Sequence, residues 1–185
     1  MTASGNQSSL LVLGLGNVLC GDDGLGVAAT EILGRRYELP DSARVLDGGT
    51  LGLALMSHIR SFHDVILVDA VRGEGPPGTL VRLVGDEVAP AARHRLSVHQ
   101  VGVADLLDGL RLLDEYPSNL VLLGLVPETL TLGLGRSAAV ERQLPKLVST
   151  IVEEAGRLGY ALRQRNDRET ALAGSSNPAA RALGL

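Results

Sequence analysis

Cysteine and aromatic residues are nearly absent from this sequence. Its 185 residues contain one cysteine, no tryptophan, and only 2% phenylalanine and tyrosine together. A single cysteine, Cys20, excludes an internal disulfide and any zinc site built from several cysteines. So few aromatic rings also argue against a stacking platform for single-stranded nucleic acid. The core must therefore be built from aliphatic side chains.

Long apolar runs and clustered positive charge are missing as well. No apolar stretch is long enough to span a bilayer, and the leading segment MTASGNQSS has neither the charged nor the apolar region of a signal peptide. The net charge is −4, and the basic residues are scattered rather than gathered in a stripe. We therefore expect a cytoplasmic protein that binds neither nucleic acid nor membrane. A monomer is expected as the simplest state, although no pattern in the sequence indicates it.

Apolar runs alternate with segments of helical period along most of the chain. The expected strands are 10–15, 43–46, 64–69 and 119–126, with 79–84 as an edge strand, and the expected helices are 24–36, 51–59, 100–113 and 137–158, the last kinked or broken by Pro145. Residues 85–98 read as irregular. This alternation predicts a three-layer α/β fold, a mostly parallel twisted sheet of about five strands with helices on both faces.

The chain length corresponds to one domain. We assign residues 10–165 to a single catalytic α/β domain, with 1–9 as a flexible lead-in and 166–185 as a disordered tail.

Acidic residues fall where the predicted strands end. Asp22 and Asp23 lie in GLGNVLCGDDGLG (14–26), Asp47 ends the second strand, Asp69 ends the third, and His99 precedes a helix. Functional residues of open α/β sheets collect beyond the carboxyl ends of the strands. Carboxylate and imidazole ligands suit zinc, manganese or nickel, so these side chains together indicate a metal site.

Each acid also has a purely structural interpretation. Asp22 or Asp23 can cap the helix that begins near Gly24, and Asp47 can hydrogen-bond the turn at Gly48 and Gly49. Asp69 is harder to explain in this way, because a carboxylate directly after four aliphatic residues is costly to bury without a partner.

A nucleotide site is the alternative. Gly14 and Gly16 follow a strand, and Asp47 lies where a ribose-binding acid belongs. Against it, Leu19 occupies the position of the third glycine, and Asp22 and Asp23 would repel a pyrophosphate at the helix start.

Several motifs, taken in order, resemble one known family. GLGNVLCGDDGLG is followed by LDGGT (46–50), DVILVDAV (64–71), PGTL (77–80), SVHQVGVADLL (97–107) and GLVPE (124–128). This ordered set, over roughly residues 10–160, is similar to the hydrogenase maturation proteases.

The resemblance implies a function and a set of site residues. Members trim a C-terminal extension from the precursor of the [NiFe] hydrogenase large subunit after nickel insertion, so nickel is expected in the substrate's active site rather than as a resident cofactor. The family's metal-contacting residues correspond to Asp23, Asp69 and His99, which are also the candidate catalytic residues of an aspartyl-type or metal-assisted hydrolysis. Asp22, Asp47, Gly48 and Gly49 are supporting candidates. A chaperone that recognises the metal centre without cutting is the alternative, and a small nucleotide-binding enzyme is a further one.

Overall fold

A computed structural model of the chain describes residues 9–93 and 101–165. The predictions for the lead-in, for the tail and for residues 94–98 therefore fall wholly or largely outside the described residues. In the described part the strands are β1 Leu10–Leu15, β2 Tyr37–Glu38, β3 Ala43–Gly49, β4 Asp64–Ala70, β5 Leu80–Val84, β6 Asn119–Leu125 and β7 Arg163–Gln164. The helices are α1 Leu25–Arg36, α2 Met56–Ile59, α3 Val88–Arg93, α4 Val101–Leu112 and α5 Ala138–Arg157.

The predicted main sheet is confirmed. Within the described residues it has five strands in the order β3-β1-β4-β6-β5, all parallel except β5, which pairs antiparallel with β6 at the edge. The carboxyl ends of β3, β1, β4 and β6 therefore meet at one end of the sheet. We call this the carboxyl end and its opposite the amino end.

Alternate residues of the central strands build two separate cores. Leu10 and Val12 of β1 and Ile66 and Val68 of β4 are buried on the face that α1 and α5 cover. The intervening residues, such as Leu11 and Val65, are buried on the other face with residues of α2, α3 and α4. Continuous apolar runs are typical of strands covered on both sides, which explains why the sequence identifies β1 and β4 so clearly.

Two details of the helices differ from the sequence-based expectation. Residues Val88–Arg93 form α3 although the segment was expected to be irregular, and Pro90 is tolerated there because it lies in the first turn. Helix α5 continues through Pro145 as one helix, so the alternative of a break is wrong and the kink stays a prediction. That proline lies on the exposed side of α5, where water can bond the carbonyl of Glu141 that loses its helical donor.

An ion-pair network between the buried carboxylate of Glu154 and two exposed arginines attaches the edge strand β5 to α5. The guanidinium of Arg82 donates to both carboxylate oxygens of Glu154, at 2.9 and 2.7 Å, and Arg157 donates to the same carboxylate at 2.7 Å. The hydrogen bonds from Arg82 lower the pKa of Glu154 and outweigh the opposing effect of burial. The network fixes the antiparallel edge strand to the helix layer.

Candidate active site

The glycine-rich loop after β1 lies between two other loops at the carboxyl end. The N–H of Gly16 donates to the carbonyl of Gly49 at 2.9 Å, which joins the loop to the last residue of β3. On its other side, Gly21 donates to the carbonyl of Gly133 at 3.0 Å and Gly133 donates to that of Leu19 at 2.8 Å. These bonds hold the loops after β1, β3 and β6 together as one rim.

Both acids of the glycine-rich loop lie in a 3-10 turn, Gly21–Gly24, and are fully buried. The carboxylate of Asp22 accepts the backbone N–H groups of Glu128, Thr129 and Ser137 at 2.8, 3.1 and 2.6 Å. No side chain caps the 3-10 turn or α1, so the expectation that Asp22 caps the following helix is wrong. Its carboxylate binds the loop after β6 instead, because that loop brings several backbone donors into the buried space.

Asp23 is held by the first half of the same loop. Its Oδ2 atom accepts the N–H of Asn17 at 2.8 Å. Gly16 has φ +116°, and a Cβ atom there would lie 1.8 Å from the carbonyl oxygen of Asp23. Only glycine therefore allows the chain to fold back closely enough to bury Asp23 at the end of β1.

Asp69 lies at the end of the neighbouring strand. It is 1% exposed, and its Oδ1 atom accepts the N–H of Ala70 at 2.6 Å. Strand β4 pairs with β1 through Val68 and Gly14 and is also in contact with the 3-10 turn that carries Asp23. The structure thus brings Asp23 and Asp69 to the carboxyl ends of adjacent strands, where the sequence placed them.

Asp47 makes the turn contact that its structural interpretation predicts. Its Oδ1 atom accepts the N–H of Gly49 at 2.9 Å, and the aspartate itself is exposed. Gly49 has φ +43° and supplies the carbonyl bonded to Gly16, while a Cβ atom on Gly48 would lie 2.7 Å from the side chain of Leu13. This short segment shapes the rim beside the glycine-rich loop.

His99 lies outside the described residues. In the sequence it precedes the first residue of α4 by two positions. Helix α4 packs on the face of the sheet where Val65 and Leu67 are buried. Because side chains alternate along β4, Asp69 is directed toward that same face. Within residues 9–93 and 101–165, no group of at least three histidine, cysteine, aspartate or glutamate residues is arranged to hold a metal ion. A metal site at this rim would thus need a ligand from outside the described residues, and His99 and the substrate are the candidates that the sequence predicts.

A second polar cluster lies at the amino end and was not predicted. The buried carboxylate of Asp64 accepts hydrogen bonds from the side chains of Asn119 at 2.6 Å and Tyr160, and bonds Nδ1 of His63 at 2.8 Å. Burial raises the pKa of Asp64, but these hydrogen bonds outweigh it and leave the pKa below its usual value. His63, which no sequence motif marks, thus helps to anchor the start of β4.

None of the helices in the described ranges is both long and apolar enough to cross a membrane.

Comparison with known proteins identifies relatives over most of the chain. The chain is 38% identical over 144 residues to the hydrogenase 2 maturation protease of Escherichia coli, covering 77% of this chain and 88% of that protein. It is 36% identical over 179 residues to the hydrogenase expression/formation protein HoxM of Azotobacter vinelandii, covering 95% of this chain and 84% of that one.

A solved structure shares the fold. The hydrogenase maturating endopeptidase HybD from Escherichia coli superimposes with a TM-score of 0.82 at 36% identity, covering 86% of this chain and 99% of that one. The family model for hydrogenase maturation protease matches residues 27–154. The ordered motifs, the sheet and these relatives agree, and the chain belongs to the hydrogenase maturation protease family.

Proposed function

We propose that this chain is the endopeptidase that removes the C-terminal extension from the precursor of a [NiFe] hydrogenase large subunit after nickel has been inserted. Membership of the maturation protease family carries the proposal, because it defines the enzyme as a protease and its substrate as a hydrogenase large-subunit precursor. The nickel requirement and the roles of individual residues go beyond that membership. A cytoplasmic location and a monomeric state are part of the same proposal.

The site residues in this proposal are Asp23, Asp69 and His99. Asp23 and Asp69 are buried at the ends of adjacent strands, which is where an α/β sheet presents its functional groups. Carboxylate and imidazole ligands suit nickel, and here the nickel is the one already bound in the precursor. The protease thus recognises a metal that its substrate carries.

Asp23 is the better candidate of the two neighbouring aspartates. The carboxylate of Asp22 already binds backbone N–H groups on both of its oxygens, all from the loop after β6. Moving it to a metal would leave those buried donors without an acceptor, which is costly. We therefore assign Asp22 to the architecture of the rim and Asp23 to the substrate.

The proposed reaction is hydrolysis of a peptide bond. Water adds to the scissile carbonyl carbon, the C–N bond breaks, and the nitrogen leaves as an amine that has gained a proton. Nickel in the precursor can polarise that carbonyl or acidify the water, and Asp23 or Asp69 can accept the water's proton. A precursor that lacks nickel separates these contributions, since only proton acceptance by a carboxylate is possible without the metal.

Two other functions use the same features. A chaperone that binds the metal centre without cutting needs the same acids.

A nucleotide site is less favoured, because the glycine-rich loop surrounds buried carboxylates and Gly16 packs against the carbonyl of Asp23. Incubation with NAD or ATP in a thermal shift assay tests the nucleotide alternative, which predicts a rise in melting temperature.

Processing of the precursor tests the proposal. The precursor with its nickel is incubated with the full chain, and intact mass is measured over time. Loss of a C-terminal fragment is the expected result. Stable binding without any change in mass would contradict the protease assignment and favour the chaperone.

A further inference from the structure

Exposed apolar side chains gather at the carboxyl end of the sheet. Nine large apolar residues are exposed in the described part of the chain, and six of them lie in the loops after β1, β3 and β6. We call these six the apolar rim: Val18, Leu19, Leu51, Leu53, Leu132 and Leu134. Exposed apolar residues scattered singly need no explanation, but a group at one end of a molecule marks a surface of interaction.

The apolar rim belongs to a well-ordered backbone. The hydrogen bonds Gly16 to Gly49, Gly21 to Gly133 and Gly133 to Leu19 join its loops, and the carboxylate of Asp22 binds the start of the β6 loop. Leu132 and Leu134 are nevertheless 85% and 84% exposed on either side of the bridged Gly133. Their exposure thus comes from a loop that is fixed in place, and a fixed surface needs little ordering on binding.

The apolar rim is continuous with the candidate active site. Val18 and Leu19 lie between Asn17, whose N–H binds Asp23, and the turn that contains Asp23 itself. A protein whose scissile peptide bond lies at Asp23 would therefore lie beside these two exposed residues. Under the proposed function the precursor is such a protein, so the apolar rim lies where its surface approaches the site.

We infer that the apolar rim is the docking surface for the hydrogenase large-subunit precursor, and that it binds an apolar face of the precursor beside the scissile bond. The inference rests on the proposed function, since it takes the precursor as the partner. On this inference the protease recognises the protein surface of the precursor as well as its nickel. The rim contributes binding in the ground state and the transition state alike, so its loss should raise KM and leave kcat unchanged.

The test compares paired leucine-to-serine variants. The double variant Leu132→Ser, Leu134→Ser removes the two most exposed side chains of the apolar rim, in the loop after β6. The double variant Leu51→Ser, Leu53→Ser removes its two side chains in the segment after β3. Leu112→Ser with Leu113→Ser is the matched control, because these residues are 88% and 57% exposed at the end of α4, at the amino end. Each variant is used as the full chain, and its melting temperature is compared with that of the wild type.

We expect each rim variant to raise KM for the nickel-loaded precursor by about tenfold or more, since buried apolar anchors dominate protein interfaces. The control variant should keep the wild-type KM. An unchanged KM in both rim variants, or an equal rise in the control, would overturn the inference while cleavage by the wild type still upheld the proposed function.

Two further results separate the possibilities. If the wild type does not cleave, the proposed function fails, and the same variants are then measured for binding to the precursor, where loss of affinity in the rim variants alone still supports the docking surface. If the wild type sediments as a dimer and the rim variants as monomers, the rim is an interface between two copies, and the inference is wrong.

Discussion

Asp22 binds Ser137 across 115 positions of sequence, with the backbone N–H of Ser137 donating to the aspartate at 2.6 Å. Ser137 is the N-cap of α5, and its own hydroxyl accepts the N–H of Val140 at 3.3 Å. One carboxylate thus ties the glycine-rich loop to the start of the last helix. The same carboxylate also holds Glu128 and Thr129, so it fixes the path of the chain between β6 and α5.

Replacing Asp22 by asparagine should destabilise the fold. The new amide group presents N–H donors toward buried N–H donors, so we expect a loss of about 1–3 kcal/mol in the free energy of unfolding. Urea denaturation measures it. Asp41→Asn makes the same chemical change at an exposed turn and should alter stability by less than about 0.5 kcal/mol. Equal effects in both variants would contradict the role given to Asp22.

Gly16 and Gly34 should respond in opposite directions to alanine. Gly16→Ala places a Cβ atom 1.8 Å from the carbonyl oxygen of Asp23 at φ +116°, and we expect it to cost about 2 kcal/mol or more. Gly34 lies inside α1 with nothing within 4 Å of an added Cβ. Gly34→Ala should therefore stabilise the protein by about 0.5–1 kcal/mol. Thermal or urea unfolding of the two variants checks both signs.

The Asp64 cluster predicts a dependence of stability on pH. The pKa of Asp64 is held below its usual 3.8, so its hydrogen bonds stabilise the fold fully above that pH, and this stabilisation is lost as the pH falls through the lowered pKa. Tyr160→Phe removes one donor and should cost about 1.5–3 kcal/mol at pH 7. The difference from the wild type should shrink as the pH falls through the lowered pKa of Asp64.

Tyr37→Phe, at a half-buried tyrosine of β2, is the control for this experiment. It should show little loss at either pH. A Tyr160→Phe effect of the same size at pH 7 and at a pH below the lowered pKa of Asp64 would show that the hydroxyl does not act through the charged form of Asp64.

The sheet and the placement of the acids could be predicted because they follow from local pattern. Buried strands such as β1 and β4 are continuous apolar runs; Asp69 follows such a run directly, and Asp23 lies in the glycine-rich loop after the other. Strands β2 and β7 were not predicted, because two residues are too few to show the alternation of apolar and polar side chains that marks a strand. The role of Asp22 was mistaken for a similar reason: a helix cap is a local contact, whereas its real partners lie more than 100 positions away.

The amino-end cluster illustrates the same limit. Asp64 and Tyr160 are 96 positions apart and only the folded sheet brings them together. Asp64 and Asn119 face one another in register at the starts of β4 and β6, a relationship that becomes visible once the strand order is known. Contacts that depend on strand order cannot be read from residue spacing.

Cleavage of nickel-loaded and nickel-free precursor, by the wild type and by Asp69→Asn, is the measurement that tests the central claim most directly. We predict that the wild type shortens only the nickel-loaded precursor, and that Asp69→Asn slows this by about 100-fold or more, the scale expected for a lost catalytic carboxylate. Asp41→Asn should cleave at the wild-type rate. Equal cleavage of both precursors by the wild type, or full activity of Asp69→Asn, would contradict the account.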